Sequence, residues 1–112
     1  KAVFDPANLV QCGEDTKKAY ETLKPYIAYM HIKDAKEDGT VVPAGMGDGN
    51  IEYILKDLSS DYVGFLSLEP HLGNFKGLEN LETDDTMTKL EKSTADKFEL
   101  AYNSLKSIIE RI

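Results

Sequence analysis

Residues 65–71 read FLSLEPH, a short apolar run that ends on a carboxylate, Glu69, followed by Pro70 and His71. Packing gives a buried strand no reason to end on an acid. Two upstream stretches behave alike: residues 2–8, AVFDPAN, turn at Asp5, and residues 27–34, IAYMHIKD, pass through His31 to Asp34. Each has an ordinary explanation when taken singly. Asp before Pro forms turns, His in a strand is commonly a core or rim residue, and Glu-Pro is a common strand exit. Repetition on consecutive strands favours a shared site.

The rest of the chain fits around these endings. Lys1 to Asp5 reads as a buried strand closed by Pro6. Gly13-Glu14-Asp15 opens a helix with Ala19, Tyr20 and Leu23 on one face, which must stop before Pro25. Ile27 to Lys33 is the second strand, and Ala35 to Gly49 a long polar loop with Gly39, Gly45, Gly47 and Gly49. Asn50 stands where it can cap a helix in which Ile51, Ile54, Leu55 and Leu58 recur at helical spacing. Val63 to Glu69 is the third strand. Residues 73–92 read as irregular, and Ser93-Thr94-Ala95-Asp96 as the capping box of a last helix. Its apolar stripe is Phe98, Ala101, Tyr102, Leu105, Ile108, Ile109 and Ile112.

Strand, helix, strand, helix, strand, helix predicts an α/β fold, a parallel βαβαβα unit with right-handed crossovers, in one domain over residues 1–112. Strand side chains alternate. If Asp5, His31 and Glu69 face inward, so do Val3, Tyr29, Lys33, Val63, Phe65 and Ser67. Phe4, Ala28, Met30, Ile32, Leu66 and Leu68 are then left to pack on the helices. A mixed inner set and a smooth apolar outer set are what a barrel wall shows near its active end. The helices cover one face only, so the unit reads as part of something larger. Neighbouring strands lie about 4.8 Å apart, which lets inward groups converge on one divalent ion such as Mn²⁺, Co²⁺, Mg²⁺ or Zn²⁺.

Composition narrows the function classes. The chain has 112 residues, 41% hydrophobic, with a formal net charge of −7 and scattered Lys and Arg, which argues against a nucleic-acid partner. No apolar run reaches membrane-spanning length. Cys12 is alone, so no internal disulfide or cysteine-rich zinc site can form, and a reducing, cytoplasmic setting is expected. The glycine loop lacks the Gly-Lys-Ser/Thr of a phosphate P-loop.

FDPAN, MHIKD, PAGMGDGN and SLEPH, in that order, resemble the last part of the xylose isomerase-like barrel family of sugar and sugar-phosphate isomerases and epimerases. The closing KFELAYNSLKSII is similar to that family's final helix. The resemblance implies the last three βα units of a TIM (β/α)8 barrel, whose whole needs roughly 250 residues. It implies that Asp5, His31 and Glu69 ligate one divalent metal ion, with a fourth ligand, a glutamate on an earlier strand, lying outside this chain. It implies proton transfer through a metal-stabilised enediolate, with Glu69 as one of two catalytic carboxylates. Asn8, Lys33 and His71 are the implied substrate contacts, for a small sugar or sugar phosphate. Relatives commonly have a histidine where Asn8 stands and a glutamate where Met46 stands. Endonuclease IV-type repair enzymes share the barrel, but their further histidines are replaced here by Asn8 and Asn50. The alternative expectation is a non-catalytic half-barrel or assembly module that retains the ligand residues. With an uncovered inner face, either reading predicts a homo-oligomer.

Overall fold

The computed structural model describes residues 1–69 and 94–112. Three parallel strands, β1 (Ala2–Phe4), β2 (Ile27–Ile32) and β5 (Leu66–Leu68), form a sheet in the order β1-β2-β5. Helices α1 (Pro6–Gln11), α2 (Thr16–Leu23), α3 (Ile51–Leu58) and α4 (Thr94–Arg111) complete a mixed α/β fold. A 3-10 turn over Lys24–Tyr26 leads into β2.

Local sequence accounts for most of these boundaries. Asp15 caps α2 by accepting the Lys18 N–H at 3.1 Å, and Pro25 ends that helix in the 3-10 turn. In α3 the four apolar residues Ile51, Ile54, Leu55 and Leu58 are all buried. They meet Phe4, Tyr20, Met30, Ile32, Leu105 and Ile108 in one core between the sheet and the helices. Register pairs Val3 with Tyr29, Phe4 with Met30, His31 with Ser67 and Ile32 with Leu68. Alternation then sorts the strands: Phe4, Met30 and Ile32 are almost fully enclosed, whereas Val3 is 43% and Phe65 63% exposed on the opposite face. Tyr29 stacks on Phe65 there, with ring centroids 4.5 Å apart. Among the described residues the helices pack on one side of the sheet, and none covers the other.

Several expectations need correction. A helix, α1, follows Asp5 directly, with Pro6 in its first turn. The polar loop 35–49 contains a short antiparallel ribbon, β3 (Asp34–Ala35) with β4 (Val41–Val42). Asn50 precedes α3 with a left-handed φ of 57° but makes no capping bond; its amide donates to Oγ1 of Thr16 at 2.8 Å. The third strand is shorter than Val63 to Glu69, because Val63 is 99% exposed and pairing begins only at the Phe65 carbonyl, which accepts the Met30 N–H. Along α4 the apolar stripe is wider than the core: Ala101, Leu105 and Ile108 are buried, while Phe98, Tyr102 and Ile109 are about half exposed. The stretch 73–92 and Ser93 of the expected capping box lie outside the described residues.

Candidate functional site

The carboxyl ends of the three parallel strands deliver the candidate side chains to the open face. Asp5 follows β1 and does two things at once. Its Oδ1 caps α1 by accepting the Asn8 N–H at 3.1 Å. Its Oδ2 is buried and makes no hydrogen bond. That oxygen lies 3.4 Å from Nδ1 of His31 and 3.3 Å from Nζ of Lys33, within ion-pair reach of both but off their hydrogen-bonding directions. An acceptor in this state is costly unless a cation stands nearby.

His31 occupies the middle strand, opposite Ser67 of β5. Its Nε2 is 3.9 Å from Oε1 of Glu69, so the imidazole stands between the two carboxylates with one nitrogen toward each. Tyr29, two residues earlier on the same face, lies beneath it with ring centroids 5.5 Å apart. Glu69 is fixed by its backbone, whose N–H donates to the Ile32 carbonyl at 3.1 Å. Lys33 is drawn along the sheet with its side chain only 12% exposed, and its ammonium donates to Oδ1 of Asn8 at 3.2 Å. Asp5, Asn8, His31, Lys33 and Glu69 are thus one contiguous group. His71 lies outside the described residues.

The donor set has the chemistry of a divalent-cation site, two carboxylates and an imidazole, and the orphaned Oδ2 of Asp5 is an oxygen suited to ligation. The present side-chain arrangement is not yet a chelate. Among the described residues no three His, Cys, Asp or Glu side chains are drawn in to hold a metal ion. The imidazole of His31 stands between the two carboxylates, and the Lys33 ammonium lies beside Asp5. In residue type, though not in their present positions, the donors suit such an ion.

One functional group escaped the sequence reading. Asp34 is fully buried, and its carboxylate gathers the glycine loop. Oδ1 accepts the N–H groups of Ala35 (2.9 Å) and Gly49 (2.8 Å), and Oδ2 those of Gly45 (3.0 Å) and Gly47 (3.1 Å). Burial raises its pKa above the usual carboxylate value, and the four N–H groups oppose that rise. A Cβ on Gly47 would lie 2.5 Å from the Ala35 carbonyl oxygen, so the loop can close around Asp34 only without a side chain there. Alternate glycines in PAGMGDGN were the available signal.

Comparison with protein-family models, curated proteins and solved structures finds no match to this chain. Among the described residues no helix is long and apolar enough to cross a membrane.

Proposed function

We propose that the chain is the C-terminal portion of a metal-dependent sugar or sugar-phosphate isomerase or epimerase with a xylose isomerase-like barrel. The observation that carries this reading is the buried, unbonded Oδ2 of Asp5 facing His31 and Lys33, with Glu69 at the other side of the imidazole. Asp5, His31 and Glu69 would hold a divalent ion there, and such an ion polarises a carbonyl oxygen and eases loss of a proton from the adjacent carbon. Glu69, on the open face, takes or returns that proton. Lys33 and Asn8 present an ammonium and an amide to the same face, where they orient substrate hydroxyl or phosphate oxygens.

Among the described residues the sheet has three strands and one face without helices, which supports placing the chain within a larger barrel. The opposing carboxylate would come from a strand outside this chain, so the chain by itself is expected to turn over no sugar phosphate. With the remaining strands supplied, Glu69→Gln should lower kcat by roughly 100-fold or more, the scale of a lost general base. Near-normal turnover by that variant would remove Glu69 from the chemistry.

The same bare face favours a second reading, a non-catalytic module that packs against a partner and keeps these side chains. Manganese titration separates the two. The isomerase reading expects about one ion per chain at this cluster, lost in His31→Ala; the module expects none.

A further inference from the structure

The strongest feature that the proposed chemistry does not use is the pairing of Lys33 with Asp5. The Asp5 side chain is only 9% exposed, and its Oδ1 is committed to the cap of α1. Its Oδ2 is left with no hydrogen-bond donor, and the ammonium of Lys33 faces it at 3.3 Å. That ammonium has another acceptor in Oδ1 of Asn8, an uncharged amide oxygen 3.2 Å away.

We propose that Lys33 is a resident counter-ion of Asp5 that a divalent cation displaces, so that ion binding hands the ammonium over to Asn8 and the open face. The inference rests on the metal reading above and adds a property of this chain to it. A cation ligated by Oδ2 sits about 2.0–2.5 Å from that oxygen. Nothing bound so close to Oδ2 escapes strong repulsion from an ammonium 3.3 Å from the same atom. One of the two cations must yield. Lys33 can, because Asn8 already holds it and its long stem lets Nζ swing without moving β2. Released from Asp5, the ammonium keeps its hydrogen bond to Asn8 but loses its counter-charge, which leaves it free to meet a ligand's anionic oxygens. Ion first, anionic ligand second is the resulting order of binding.

The test is a titration of the whole chain with Mn²⁺, following free ion by electron paramagnetic resonance, in the wild type, Lys33→Met and Lys33→Arg. Far-ultraviolet circular dichroism confirms that each variant folds, and Lys33→Gln replaces Lys33→Met if the latter does not. Removing the competing charge should tighten Mn²⁺ binding roughly tenfold or more, while Lys33→Arg, which keeps it, should not. Adding Asp5→Asn to Lys33→Met should abolish the gain. Wild-type binding that Lys33→Met leaves unchanged or weakens overturns the displacement while leaving the metal site standing. If neither protein binds Mn²⁺, the metal reading falls and this inference with it. Binding seen only in Lys33→Met supports the displacement outright.

Discussion

Gly49 and Asp34 meet twice over: the Gly49 N–H donates to Oδ1 of Asp34 at 2.8 Å, and a Cβ on Gly49 would lie 2.6 Å from that same oxygen. The contact that orders the loop also forbids a side chain. Gly49→Ala should therefore push the loop off the carboxylate and cost about 1–3 kcal/mol, the range for overpacking. Asp34→Ala should cost more, because the N–H groups of Ala35, Gly45, Gly47 and Gly49 then lose their acceptor together. Asp34→Asn keeps one acceptor oxygen and should fall between Asp34→Ala and the native chain. Urea denaturation of the three variants reads the order directly; an Asp34→Ala variant as stable as the native chain would show that the loop does not need the carboxylate.

A second prediction concerns alkaline pH. Tyr20 is 1% exposed and donates to Oδ2 of Asp57 at 2.7 Å, tying α2 to α3. Burial first, and that hydrogen bond second, push its pKa well above the ordinary value of 10.0. The folded chain thus keeps a proton that the unfolded chain releases near pH 10. The stability this supplies is fully present below about pH 10 and drains away as pH rises further toward the raised value. Tyr53 and Tyr62 are shifted in the same direction, in each case chiefly by burial, and add to the trend. Melting temperatures between about pH 8 and pH 11.5 should fall at the alkaline end, and Tyr20→Phe should shallow the fall while losing about 1 kcal/mol at neutral pH. An identical alkaline slope in Tyr20→Phe would place the effect elsewhere.

What the sequence made legible was whatever rests on periodicity. The two faces of the strands and the buried face of α3 follow from spacing alone, and Gly13-Glu14-Asp15 marks where α2 begins. The grouping of Asp5, His31 and Glu69 followed from register, since parallel strands in step bring their ends to one level. Features that depend on a single atom's choice were not legible. Asp-Pro reads as a turn or a ligand position, whereas Oδ1 of Asp5 caps a helix and Oδ2 is left without a hydrogen bond. The imidazole of His31 standing between the carboxylates is a matter of side-chain rotation. Asp34 depends on N–H groups that lie up to 15 residues further on. Val63 reads as strand because it is apolar, yet it stands 99% exposed ahead of the paired residues Leu66–Leu68.

The anchoring of α4 yields a third prediction. Arg111 donates from Nε and a terminal nitrogen to the two carboxylate oxygens of Glu52, at 2.9 and 3.0 Å, joining the end of α4 to the first turn of α3. Both side chains are about half exposed, so solvent screens most of the attraction. Arg111→Met should cost no more than about 1 kcal/mol, and the loss should shrink as salt is added. Ile108→Ala, one turn earlier and fully buried, should cost about 2–5 kcal/mol at any ionic strength. If the two variants proved equal, α4 would be held by charge rather than by its apolar stripe.

The last prediction concerns the uncovered face. Val3 and Phe65 are exposed on the side of the sheet away from the helices, and Tyr29, in register with Val3, stacks on Phe65. Apolar surface left in water costs roughly 25 cal/mol per Å², and open strand edges beside it add unpaired backbone groups. Among the described residues the outer strands β1 and β5 each have one such edge in this sheet. Self-association that brings two bare faces together relieves both costs, most simply as a two-fold dimer. The net charge of −7 opposes this only weakly at physiological salt, where the screening length is about 8 Å. Sedimentation equilibrium should therefore find a homo-oligomer at micromolar concentration. Phe65→Ser should shift it toward monomer, because the largest exposed ring of the patch is lost while no core contact is touched. Phe98→Ser, on the half-exposed flank of α4, should leave the equilibrium unchanged if the sheet face is the interface. A wild-type chain that stays monomeric at high micromolar concentration would defeat the prediction, and dissociation by Phe98→Ser alone would move the interface to the helix.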